Sequence, residues 1–180
     1  MEENLKSQWR KWMGYIYDYL PTKYEATKRD WAVRRCVWNF KEGKGSEAAA
    51  KMVADRIRKQ FGEESQDITL ACIPASTEEK TVARYQSFAA EVCRLLGCKN
   101  AFNFIRVEGE RLAIHEQREG KRLQNTQIIS FDNSFFAGKK VVVFDDILTR
   151  GYSYARFACQ LERMGANVLG GIFLARTLNF

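Results

Sequence analysis

The stretch VVVFDDILTRGYSYA, residues 141 to 155, sets an apolar run against two adjacent aspartates, then a short polar loop, then what reads as a helix. In an open parallel sheet, ligands bind beyond the carboxyl ends of the strands, where Asp145 and Asp146 emerge. The loop from Leu148 through Thr149, Arg150, Gly151 and Tyr152 to Ser153 leads into a helix whose first N–H groups have no partner within the helix. Phosphate suits such a place because it accepts those hydrogen bonds at the positive end of the helix dipole. Gly151 permits close backbone approach, and Thr149 and Ser153 add hydroxyl donors. Two carboxylates beside that cradle repel a second phosphate but accept hydrogen bonds from a sugar diol. A ribose 5-phosphate satisfies both halves.

Other chemistries share parts of this pattern. A Walker B strand also ends in acids, but the chain contains no GxxxxGK[ST] loop to hold a nucleotide triphosphate. A phosphate-accepting receiver domain would carry its acidic pair nearer the N-terminus, and a structural pair would simply cap the following helix. The only histidine is His115, and the five cysteines form no CxxC pair, which argues against histidine-based catalysis, a zinc ribbon and a disulfide framework. Buried free thiols are the expected state.

Around this motif the chain alternates strands and helices. SEAAAKMVADRIRKQFG reads as a capped helix, ITLACIP as a buried strand closed by proline, and STEEKTVARYQSFAAEVCRLLG as a second amphipathic helix. Residues 100 to 105 suggest another strand, and HEQREGKRLQNTQ an exposed mobile loop. KKVVVFDD fits a strand covered on both faces, YSYARFACQLERMGA a helix ended by Gly165, and NVLGGIFLA a last strand. The expected fold is α/β, a mainly parallel sheet flanked by helices with right-handed crossovers.

With 180 residues and 46% hydrophobic content, one domain is expected over 1–180, as an α/β core at 46–180 behind an aromatic-rich segment or hood at 1–45 that holds all four tryptophans. The net charge of +7 suggests an anionic partner, nucleic acid or a small polyphosphate, without choosing between them. No apolar run is long enough for a membrane span and the start lacks the apolar core of a signal peptide, so a cytoplasmic place is expected.

VVVFDDILTRGYS resembles the phosphoribosyl pyrophosphate (PRPP) motif of type I phosphoribosyltransferases: an apolar strand, two acidic and two apolar residues, then Thr-Thr-Gly-x-Thr. Arg150 stands for the second Thr and Ser153 for the last, both still donors to phosphate. Across about residues 35–177 the layout is similar to the competence-protein-F-like (ComF-like) branch, through VWNFKEGKGSEAAAKMVADRI, ACIPAS and the pair Tyr85-Gln86. Arg84 replaces the glycine expected before that pair, and the branch's cysteine-rich N-terminal segment is missing.

The resemblance implies transfer of ribose 5-phosphate from PRPP to a small nitrogenous acceptor, with pyrophosphate leaving and Mg²⁺ held mainly by PRPP rather than by an assigned protein ligand. It assigns Asp145 and Asp146 to the ribose hydroxyls and the developing cation, and Leu148 to Ser153 to the 5-phosphate. The N–H groups of Ala75, Ser76 and Thr77, with Lys80 and Arg84, would take the pyrophosphate. His115, Arg118, Lys121 and Arg122 would close over the substrate, and rings of the N-terminal segment would stack on the acceptor. A homodimer is compatible with this. The rival expectation is a non-catalytic domain that binds PRPP or a nucleotide, or handles nucleic acid with Trp9 and Trp12 as stacking groups.

Overall fold

The computed structural model of the chain describes residues 2–108 and 128–178. Five parallel strands form the main sheet in the order β1-β7-β6-β2-β3. In chain order these are β1 (Trp12–Tyr19), β2 (Ile68–Cys72), β3 (Lys99–Asn100), β6 (Lys140–Leu148) and β7 (Asn167–Thr177). A separate antiparallel pair, β4 (Ile105–Glu108) and β5 (Ile128–Phe131), flanks the segment 109–127. The α/β class and the mainly parallel sheet are as the strand–helix alternation predicts.

The valine run of β6 is central and covered on both faces, and side-chain alternation divides it cleanly. Val142 and Phe144 face a core built by α2 (Lys28–Lys41), α3 (Ser46–Phe61) and α4 (Glu78–Leu96). Val141 and Val143 face the opposite core, built with α6 (Tyr152–Arg163). On that second face α1 (Glu2–Trp9) lies against α6, and its Gln8 and Lys11, just beyond it, both bond Glu162. The short α5 (Asn133–Phe136) places Phe136 in the same core.

Helices α3, α4 and α6 stand where the sequence signals them, although α3 starts from Gly45 with no side-chain cap, while α2 lies in the aromatic segment, for which no helix is expected. Thr27 and Asp30 form a reciprocal capping box on α2, and the Thr77 hydroxyl caps α4 by accepting the Lys80 N–H at 3.2 Å. Gly97, left-handed at φ 69°, ends α4.

The aromatic segment 1–45 supplies an edge strand of the main sheet. Residues 12–19 pair in parallel with β7, and Trp12 packs edge-on against Phe61 at 5.1 Å. Of the eight residues of β1 only Gly14 is buried, the others being half-buried or exposed. The strand expected at 100–105 divides into β3, a short 3-10 turn at Phe102–Phe104, and β4. All five cysteines are free.

Between β2 and β6 the winding direction of the sheet reverses, since β2 leads outward to β3 while β6 leads the other way to β7. Such a reversal opens a crevice at the carboxyl ends of the two strands. The last paired residues there are Cys72 and Phe144.

Candidate functional site

Immediately past that crevice stand Asp145 and Asp146. On one side β6 stays paired with β7 as far as Leu148, while on the other β2 has already turned away. Alternation along the strand then sends the two carboxylates to different faces. Asp145 follows Val141 and Val143 toward α6 and lines a cleft of about 150 Å³ together with Thr149, Arg150, Gly151, Ser153 and Phe173. Asp146 follows Val142 and Phe144 and is buried at 7% exposure beside α4, where its Oδ2 accepts Arg84 Nη1 at 2.8 Å. Lys41 Nζ, at the end of α2, stands 3.9 Å from the same oxygen.

Electrostatics differ accordingly. Burial, then the adjacent Asp146 charge, pushes the Asp145 carboxyl up to about 7, despite the 2.8 Å hydrogen bond it accepts from the Asp146 N–H. The Tyr85 side chain is fully buried near both aspartates, and the Arg84 guanidinium lies 5.6 Å from the centre of its ring. Its ring is wedged against Phe40 and Phe144 at 6.1 Å from each, so the strand just before the acids is fixed by aromatic contacts.

The loop from Leu148 to Ser153 turns into α6 at Gly151. Gly151 is the N-cap of α6 at φ 73°, ψ 7°, and with no side-chain cap the first N–H groups of α6 have no partner from the cap residue. Thr149, Arg150, Tyr152 and Ser153 are exposed along its rim, and Leu148 is half-buried. Trp9, 142 residues away in sequence, reaches across from α1: its Nε1–H donates to Gly151 O at 3.2 Å and its ring meets Tyr152 edge-on at 5.4 Å.

The loop after β2 is divided in its readiness. The Ala75 N–H does not point to open solvent, because it donates to the buried Thr81 hydroxyl at 3.0 Å. Ser76 and Thr77 are half-buried and Lys80 is exposed. Arg84 is engaged with Asp146, and its Nε donates to Lys41 O at 3.2 Å. His115, Arg118, Lys121 and Arg122 lie outside the described residues. Sequence reasoning missed the parts of Lys41 and Trp9; a lysine and glycine ahead of the α3 helix was a signal for the first, and nothing in the sequence signals the second.

The turn carrying Lys41 rests on α4 through Gly43, whose φ is 79° and at which a Cβ would come 2.3 Å from Ala83 O. Gly43→Ala is therefore expected to lower stability by about 1–3 kcal/mol and to loosen the Lys41–Arg84 contact, measurable by urea unfolding. Unchanged stability would show that the turn is free to move away from α4.

No protein-family model matches the chain. A stretch of 102 residues is 31% identical to beta-ketoacyl-acyl-carrier-protein synthase III 2 of Bacteroides thetaiotaomicron, covering 51% of this chain but only 29% of that enzyme's length. Among solved structures, the phosphoribosylpyrophosphate synthetase of Mycobacterium smegmatis is similar at 15% identity and TM-score 0.42, over 72% of this chain and 33% of that one. A hypoxanthine-guanine phosphoribosyltransferase of Bacillus anthracis is similar at 16% identity and TM-score 0.40, over 74% of this chain and 67% of that one. The purine phosphoribosyltransferase of Pyrococcus horikoshii is similar at 14% identity and TM-score 0.38, over 91% of this chain and 87% of that one.

Proposed function

We propose that the chain binds PRPP and transfers its ribose 5-phosphate to a nitrogenous acceptor. The observation that carries the reading is the join of β6 to α6: a carboxylate and an uncapped helix N-terminus share one cleft, at the crevice where strand order reverses. The N–H groups of α6, with the Thr149 and Ser153 hydroxyls, would hold the 5-phosphate. Asp145 would accept from a ribose hydroxyl and lie beside the positive charge that grows on the sugar as its bond to pyrophosphate lengthens. That bond breaks with its electron pair going to pyrophosphate, and a bond from the acceptor nitrogen to the anomeric carbon forms. Ser76, Thr77, Lys80 and Arg84 would receive the leaving group.

Magnesium takes about six oxygen ligands. Among the described residues no three His, Cys, Asp or Glu side chains come together, and one of the paired carboxylates is already bonded to Arg84. This donor set fits an ion held chiefly by pyrophosphate and ribose oxygens, which would neutralise the leaving group's charge. The likeness to the ComF-like branch rests on the sequence motifs alone, and the acceptor is left to experiment. No helix among the described residues is long and apolar enough to cross a membrane.

Calorimetry with PRPP, with and without Mg²⁺, tests the reading, followed by a screen of nitrogenous bases for pyrophosphate release. Magnesium-dependent binding is expected, and its absence would refute the proposal.

The nucleic-acid alternative would have to use a Trp9 that is 37% exposed but bonded to Gly151, and a Trp12 that packs edge-on against Phe61. Trp9→Ala and Trp12→Ala are accordingly expected to lower stability while leaving single-stranded DNA binding weak. A loss of about 1–3 kcal/mol in DNA affinity on either substitution would instead favour that alternative.

A further inference from the structure

Arg84 holds a place that both halves of the proposed substrate contest. Its guanidinium is bonded to Asp146 Oδ2 at 2.8 Å, with only 14% and 9% of the two side chains exposed. It stands on the second turn of α4, the helix that the loop of Ser76 and Thr77 leads into. Lys41 Nζ approaches the same Asp146 oxygen at 3.9 Å, so two cations among the described residues serve one carboxylate. Asp146 in this state has an oxygen committed to an ion pair, and Arg84 has its Nη1 committed to Asp146 and its Nε to Lys41 O.

Resting on the PRPP reading, we propose that Arg84 is an exchanged cation that makes ribose binding depend on pyrophosphate. When the pyrophosphate group arrives beside Ser76 and Thr77, Arg84 leaves Asp146 for the more highly charged anion, and Asp146 is released to accept from a ribose hydroxyl. The guanidinium suits the exchange because its planar fork bonds carboxylate and phosphate with the same geometry. The protein then discriminates for a pyrophosphorylated sugar over the same sugar with a 5-phosphate alone. Lys41 keeps part of the positive charge beside Asp146 after the exchange, so the buried carboxylate is not left uncompensated.

Linkage makes the proposal quantitative, since pyrophosphate must raise affinity for ribose 5-phosphate by the same factor that ribose 5-phosphate raises affinity for pyrophosphate. In calorimetry with Mg²⁺, saturating pyrophosphate is expected to tighten ribose 5-phosphate binding to the wild-type protein by about tenfold, within the usual range of such couplings. In Arg84→Gln this dependence should vanish: ribose 5-phosphate should bind at least about fivefold more tightly than to wild type without pyrophosphate, while PRPP and pyrophosphate bind at least about tenfold more weakly. A gain in one affinity beside a loss in the other cannot arise from misfolding. Arg84→Lys, which keeps the charge without the fork, should lie between the two. The ¹⁵N signals of the Arg84 guanidinium should move on adding magnesium pyrophosphate and, by the same linkage, less far but in the same direction on adding ribose 5-phosphate alone. If wild type binds PRPP but Arg84→Gln weakens both ligands together, or leaves ribose 5-phosphate unchanged, the exchange is wrong and Arg84 is a fixed structural partner. If wild type binds no PRPP, the underlying reading fails and this inference with it.

Discussion

Asp145→Asn is expected to make the protein more stable at pH 8 and to bind PRPP at least tenfold more weakly. In the folded chain, burial first and Asp146 second hold the Asp145 carboxyl at about 7, against an ordinary aspartate value near 3.9. Between those two values the folded state binds the proton more tightly than the unfolded one, so stability falls as pH rises through that window. Above pH 7 the penalty is complete, and below pH 4 it is absent. The full displacement corresponds to about 4 kcal/mol, and partial exposure of the carboxyl reduces this to roughly 1–3 kcal/mol. Thermal unfolding should therefore show the variant ahead of wild type at pH 8, with the gap closing toward pH 4. Ligand binding moves the other way, because a charged acceptor for a hydroxyl is worth about 1.5–3 kcal/mol. In the wild-type protein, PRPP affinity should rise between pH 6 and pH 8 as Asp145 ionises. A variant less stable at pH 8, or a flat pH profile of binding, would contradict a buried charge kept for a ligand.

Gly151→Val is expected to abolish ribose 5-phosphate binding and to destabilise the fold by about 1–3 kcal/mol. Two strains combine. The backbone at φ 73° disfavours a β-branched residue, and a Cβ would stand 2.9 Å from Trp9 Nε1 and 3.2 Å from its Cδ1. Relief by moving Trp9 would break its bond to Gly151 O. Combining the substitution with Trp9→Ala should therefore be less damaging to stability than the sum of the two, while binding stays lost because the loop itself is distorted. Full ribose 5-phosphate affinity in folded Gly151→Val would place the phosphate elsewhere.

The two ends of this site differed in how far they could be read. The β6 strand, its loop and α6 are local: the valine run, Gly151 and the amphipathic spacing of Tyr154, Phe157, Ala158 and Leu161 specify them within 25 residues. Helices α3 and α4 were legible for the same reason, through spacing and caps. What could not be read depends on distance or on parity. Arg84 and Asp146 are 62 residues apart, and Trp9 and Gly151 142 apart. Adjacent acids look equivalent in a sequence, but once β6 runs on to Leu148 they must point to opposite faces. The amide of Ala75 looked available because nothing nearby in sequence claims it; the turn of α4 brings the Thr81 hydroxyl to it. Strand β1 escaped notice since its exposure is partial at nearly every residue.

The indole of Trp9 rests on the same glycine that forms the loop's cap, and the protein thereby carries a built-in optical reporter. The other three tryptophans lie elsewhere: Trp12 against Phe61, and Trp31 and Trp38 against each other 6.2 Å apart. Emission from Trp9 will change colour and yield whenever an anion draws the Gly151 turn or the Tyr152 ring out of place. A plain fluorescence titration, with Trp9→Phe as the silent control, can follow loop occupancy without any attached dye. The same contact makes the first helix a poor site for a bulky fusion, since a partner that lifts it would blind the signal and disturb the loop together.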